Sequence, residues 1–329
     1  MASPLSTPSE SRSPAFVHVD CDGLWAVRSC YGAQSSTVDR AGDPFWREGI
    51  PAALDLFTEA GLPATFFVIA LDLEVALHRE LSTRLLAAGH EIASHSMTHA
   101  MALRSAPPQT VRDEVRRSRD KIQEMTGHDP AGFRAPGFSF QPLLLREVLD
   151  AGHCYDSSMF PSPWGPALRV ARRLLGRGSE ARQEPYGSWR DGKSRRDPHW
   201  VFPHGDESGG RLMEIPVSLT PRLRLPAHAS FALLRRDERT RRVIEWHAAR
   251  ALPLVWVIHL IDLCDTARLD LPVPRWGRRL LCLPAGEKRA RLRRMLGWIG
   301  ERFAVQRTDR WVQSQRDGLA DPRDRGRAP

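Results

Sequence analysis

Phe16-Val17-His18-Val19-Asp20-Cys21-Asp22-Gly23 decides the fold of this chain. A short, largely apolar run leads straight into two carboxylates. Strands buried in a parallel sheet read as near-continuous apolar runs, and functional side chains of α/β proteins gather where such strands end. Period-2 alternation points Asp20 and Asp22 to one side and Cys21 to the other. Two like charges on one face repel unless a cation or an arginine compensates them. Asp22-Gly23 is also an ordinary turn signal, so the pair alone supports either a site or a turn.

Working outward, the same run-then-punctuation pattern repeats. Candidate strands are Phe16–Val19, Ala64–Ile69, Glu91–Ser94, Gly132–Arg134, Met213–Val217, Pro253–His259 and Phe303–Arg307. Helical patterns fall between them: Ile50–Glu59 before Gly61, Glu80–Ala88 before Gly89, Val111–Met125 before Gly127, and Leu143–Leu149 before Gly152. Glycine suits the left-handed position just past a helix. Alternation of this kind predicts an α/β fold with a parallel sheet. One catalytic domain is expected over residues 15–311, between disordered tails at 1–14 and 312–329. Residues 160–212, rich in Pro, Gly, Arg and Trp, read as an insertion, either a lid or an irregular surface loop. Trp164, Trp189 and Trp200 within it read as packing residues or sugar-stacking platforms, and His199 and His204 as loop residues.

Composition narrows the function. Of 329 residues 41% are apolar, enough for a sizeable core and against a disordered chain. No apolar run approaches the roughly 18 residues needed to span a bilayer. Residues 1–14 lack the apolar stretch of a secretory signal, so a cytoplasmic location is expected. Five scattered cysteines, without CxxC spacing, read as free thiols rather than a zinc site. The net charge of +9 comes mainly from arginine, in runs such as Arg169 to Arg182 and Arg289 to Arg294. Such runs suit phosphate groups or peripheral contact with an anionic membrane, or simply a solvated face. No aromatic or Gly-rich motif accompanies them, so nucleic acid is not an expected partner.

A second stretch, His95-Ser96-Met97-Thr98-His99, follows the strand Glu91–Ser94. On a helical turn its four-residue spacing would put both imidazoles on one side, within reach of one ion. With Asp20 and Asp22 it offers two carboxylates and two imidazoles. Three of these around a divalent cation leave positions open for water and substrate, and the fourth could act as base. Arg134, in Gly132-Phe133-Arg134-Ala135-Pro136-Gly137, stands at another strand end and can pair with a carboxylate. Asp156, in Tyr155-Asp156-Ser157-Ser158, is a candidate to anchor that arginine. His259 closes the strand Leu254–Ile258, where it is either a core histidine or a proton donor to a leaving group.

Taken in order, VDCDG, ATFFV, GHEIASHSMTH, GFRAPG, YDSS and VWVIH resemble the motif series of the polysaccharide deacetylase family of metal-dependent amidohydrolases. The likeness is dense from Phe16 to Asp156, then thins until EIPVS and His259, and closes with RFAVQRTDRW. It implies a deformed (β/α) barrel of about seven parallel strands. It makes Asp20 the general base, Asp22, His95 and His99 the ligands of Zn²⁺ (Co²⁺ or a similar ion being the alternative), Arg134 the partner of Asp20 with Asp156 behind it, and His259 the general acid. The implied substrate is an N-acylated sugar or a related small amide. Cys21 separates the two aspartates that commonly adjoin in the family. This Asp-x-Asp form resembles the branch acting on intracellular or lipid-linked amides, some of whose relatives open cyclic ureides. The expected cytoplasmic location and the basic charge, which would suit a phosphate, make a nucleotide-linked or polyprenyl-phosphate-linked (lipid-linked) amino sugar the expected substrate, with a deformylase or ureide hydrolase as the same-class alternative. A non-catalytic carbohydrate- or membrane-surface-binding protein is the alternative from another class.

Overall fold

In the computed structural model of the protein, the described residues are 12–30, 40–167, 170, 189–269, 271 and 275–318. Among the described residues, nine strands form one curled sheet: β1 Pro14–Asp20, β2 Thr65–Val68, β3 Glu91–Ser94, β4 Gly132–Phe133, β5 Tyr155–Asp156, β6 His199–Val201, β7 Leu212–Glu214, β8 Leu254–His259 and β9 Ala304–Val305. The strand order is β6-β7-β5-β4-β3-β2-β1-β8, with β9 beside the start of β1. Every pairing is parallel except β6 with β7, which makes the sheet a mostly parallel half-barrel.

Helices cover the sheet: α1 Leu24–Cys30, α2 Ile50–Ala60, α3 Ala76–Ala87, α4 Pro108–Thr126, α5 Pro142–Asp150, α6 Ala229–Leu233, α7 Asp237–Ala248, α8 Arg275–Leu281, α9 Ala285–Arg302 and α10 Thr308–Asp317. Gly61 and Gly127 end α2 and α4 in the left-handed conformation, as their positions predict. Strand β1 sorts its residues by alternation. Val17, Val19 and Cys21 enter the main apolar core against α2 and α9, while His18 and Asp20 face the inside of the curl. Full burial of each such aliphatic side chain is worth about 1.5–3 kcal/mol, which fixes the register. A one-residue slip would turn both aspartates into the core.

Three expectations need adjustment. The C-terminal tail does not begin at 312, because α10 runs to Asp317 and buries Val312 beside Phe16 and Val255. The expected insertion, within its described part, contributes the edge strand β6 to the sheet. Arg289, Arg291, Arg293 and Arg294 are not an open basic face: they bind Leu263 O, Asp237, Glu59 and Asp237 respectively. Arg169 and Arg182 lie outside the described residues. No helix among the described residues is long and apolar enough to cross a membrane.

Candidate metal and catalytic site

Asp20 ends β1, His95 follows β3, Arg134 follows β4, Asp156 ends β5 and His259 ends β8. One edge of the sheet, the carboxyl end of its parallel strands, therefore carries every predicted site residue. Asp22 Oδ1 lies 3.4 Å from His95 Nε2 and 3.3 Å from His99 Nε2. One ligand atom from each of these residues falls within 4.8 Å of the others, the one such cluster among the described residues.

The two imidazoles do not meet on a helical turn. Residues 95–100 are irregular, bending at Met97 and Thr98, with Ser96 and His99 both at positive φ (66° and 57°). Left-handed backbone at two non-glycine residues costs roughly 1–3 kcal/mol each and persists only where the surroundings impose it. Here Glu114 of α4 imposes it, accepting from the N–H groups of Met97 (3.0 Å) and Thr98 (2.9 Å) and from the Thr98 hydroxyl. Ser96 Oγ accepts from the His99 N–H at 3.1 Å. Glu114 escaped sequence reading because on a helix it resembles any surface acid.

The donor set fits a divalent cation. His95 Nδ1 lies 2.8 Å from the Arg134 carbonyl, which can only accept. The ring proton therefore sits on Nδ1, and the Nε2 lone pair turns towards Asp22 and His99. Asp22 Oδ1 and both ring nitrogens of His99 are buried without a hydrogen bond. Burial works to raise Asp22, but His99 and His95 outweigh it and hold the carboxyl well below the usual range. Burial likewise opposes a charge on His95, yet Asp22 and Asp20 raise its basicity. Two imidazoles and a carboxylate at this spacing form a mixed N/O set suited to zinc.

Asp20 stands apart from that trio. Its Oδ1 accepts from Arg134 Nη1 at 2.6 Å, and its Oδ2 faces His259 Nε2 at 3.8 Å. Arg134 is fully buried, and its guanidinium lies 4.2 Å over the Phe67 ring. The expected anchor, Asp156, is not what grips it. Arg134 donates to Ser157 O (3.0 Å) and Ser157 Oγ (2.8 Å), whereas Asp156 accepts from Ser158 N (2.9 Å) and Ser158 Oγ (2.7 Å). Alternation explains the exchange, since neighbours on a strand end face opposite ways. Burial pushes Asp156 and Glu214 up, and the charge of Asp156 raises Glu214 further. His259 is steadied by Asp262, which accepts its backbone N–H at 3.0 Å, and by the His228 ring at 5.6 Å. Trp164 and Trp189 are exposed, while Trp200 packs against the core, and His204 pairs with Asp150.

An open (β/α) half-barrel with a carboxylate–imidazole trio and an arginine-held aspartate at its strand ends defines the class. Residues 35–155 match the family model for polysaccharide deacetylase. The chain is 30% identical over 149 residues to the peptidoglycan deacetylase of Helicobacter pylori, an alignment covering 45% of this chain and 50% of that protein. It is 39% identical over 149 residues to the chitooligosaccharide deacetylase of Bradyrhizobium sp., covering 43% and 65% respectively. The chain thus spans between half and two thirds of the length of these curated relatives. Its fold matches that of a Mycobacterium smegmatis protein assigned to the polysaccharide deacetylases (TM-score 0.63, 20% identity, 98% and 96% of the two chains) and that of the Puue allantoinase (0.59, 16%, 96% and 94%). Residues 35–155 thus resemble polysaccharide deacetylases in sequence, and the fold of the chain agrees with that resemblance.

Proposed function

We propose that this protein is a metal-dependent hydrolase of a non-peptide C–N bond, acting as an N-deacetylase on an amino sugar. One observation carries the reading: Asp22, His95 and His99 converge on one point, while Asp20 is kept off it by Arg134 and faces His259. A divalent cation held by Asp22, His95 and His99, Zn²⁺ being the best fit, would supply Lewis acidity towards the amide carbonyl and acidify the attacking water. Arg134 occupies Asp20 Oδ1 and leaves Oδ2 to take the water's proton. His259, its side chain partly open to solvent, gives its Nε2 proton to the departing amine. Ser157 and the Phe67 face hold the arginine so that the carboxylate cannot swing onto the cation.

The named substrates of the two curated relatives, peptidoglycan and chitooligosaccharide, support acetylated amino sugars as the substrate class. Phosphate- and lipid-linked amino sugars belong in the same screen, as do formylated and ureido compounds. Retention of Asp20, Arg134 and His259 together favours catalysis over a binding role on a retained fold. Chelation should abolish amine release from the preferred substrate, and added Zn²⁺ or Co²⁺ should restore it. Full activity in metal-free protein would overturn the cation's role, and no release from any of these amides by zinc-loaded protein would overturn the hydrolase reading.

A further inference from the structure

Arg134 has one partner with no part in the chemistry above. His18, two residues before Asp20 on β1 and on the same face, is fully buried, with Nδ1 2.5 Å from Arg134 Nη2 and Nε2 2.9 Å from Thr308 Oγ1. A guanidinium has donors only, so Nδ1 must accept, the ring proton must lie on Nε2, and Thr308 receives it. Thr308 Oγ1 is in turn 2.9 Å from Thr65 Oγ1, and Thr65 donates to Glu91 Oε2 at 2.7 Å. Glu91 also accepts from Tyr155 Oη (2.8 Å) and from the Asp309 N–H (3.1 Å). Donation therefore runs one way, from Arg134 through His18, Thr308 and Thr65 to Glu91. Phe67 stands edge-on to His18 at 5.1 Å and face-on to Arg134, which fixes both planes. Burial, reinforced by the charge of Arg134, keeps the His18 ring neutral.

We propose that His18, locked in its Nε2-protonated form by Thr308, is a positioning residue that sets the plane of Arg134 and thereby the orientation of Asp20. Helix α10, near the far end of the chain, is coupled to the base through this one ring. The role rests on the reading of Asp20 as base, and its test has an arm that does not. In wild-type protein, long-range ¹H–¹⁵N correlation spectra should show His18 with a bare Nδ1 and a protonated Nε2, down to about one pH unit below the ordinary histidine pKa. An Nδ1-protonated ring, or an imidazolium in that range, would overturn the proposal whatever the substrate. In the activity arm, Thr308→Val removes the acceptor at constant shape, and Thr308→Ser keeps it. Thr308→Val should lower kcat about tenfold with KM little changed, as loss of one hydrogen bond in a charged network predicts, and Thr308→Ser should restore it to within about twofold. Unchanged kcat in Thr308→Val, alongside an inactive Asp20→Asn, would refute the positioning role and leave the base assignment intact. Retained activity in Asp20→Asn would instead refute the base itself.

Discussion

Replacing Arg134 with methionine removes the centre of the site without a large change in side-chain length. Arg134 donates to Asp20, Ser157 O, Ser157 Oγ and His18, and its side chain is wholly inaccessible. Asp20 itself is 3% exposed, so its carboxylate would be left buried with no cation against it. Breaking a buried ion pair from one side costs about 3–5 kcal/mol, most of it the penalty on the stranded partner. Arg134→Met should therefore lose about that much unfolding free energy in metal-free protein, read from urea denaturation at neutral pH. Asp20→Asn strands the opposite charge and should also destabilise. In the double variant neither charge remains, so its loss should fall short of the sum of the single losses by at least about 1.5 kcal/mol. A loss below about 1 kcal/mol for Arg134→Met, or strictly additive losses, would refute the claim that this pair organises the site.

Two further expectations concern the scaffold. Asp72 is buried between the indole N–H groups of Trp25 (2.8 Å) and Trp46 (3.3 Å), and burial pushes its pKa to about 7. A carboxyl raised in the folded state contributes stability that is full below the unfolded pKa near 4 and lost as pH rises through about 7. Between pH 4 and 8 the wild type should accordingly lose stability relative to Asp72→Asn, by an amount on the order of 4 kcal/mol from a shift of about three units, and parallel denaturation curves would contradict this. At Gly132, a Cβ would fall inside the Tyr155 ring, which itself holds Glu91. Gly132→Ala should cost on the order of 1–3 kcal/mol of overpacking and lower the thermal midpoint by several degrees, and an unchanged midpoint would count against the packing described.

The long apolar strands and the glycine-stopped helices were legible from sequence because burial on both faces leaves a continuous signal: β1, β3 and β8 fall within two residues of their expected spans. Strand β5 is two residues long and β6 three, too short for any periodicity to register. Helices α7 and α9 went unread because arginines and glutamates dominate them and their apolar stripes are narrow. The six residues Asp20, Asp22, His95, His99, Arg134 and His259 do converge. Their supports were harder to see. Ser157 displaced Asp156 on Arg134 because only the exact end of β5 decides which neighbour faces in. Glu114, which bends the His95–His99 loop, carries no local signature. His18 did carry one: its place two residues before Asp20 puts both on the same face of β1.

The separation of Asp20 from the cation-binding trio is tested most directly by zinc stoichiometry, measured by equilibrium dialysis on Asp20→Asn and His95→Ala beside the wild type. Asp20→Asn should bind one ion per chain and release no amine, whereas His95→Ala should lose both ion and activity. Loss of the ion in Asp20→Asn, or its full retention in His95→Ala, would contradict the division of roles drawn here between base and ligands.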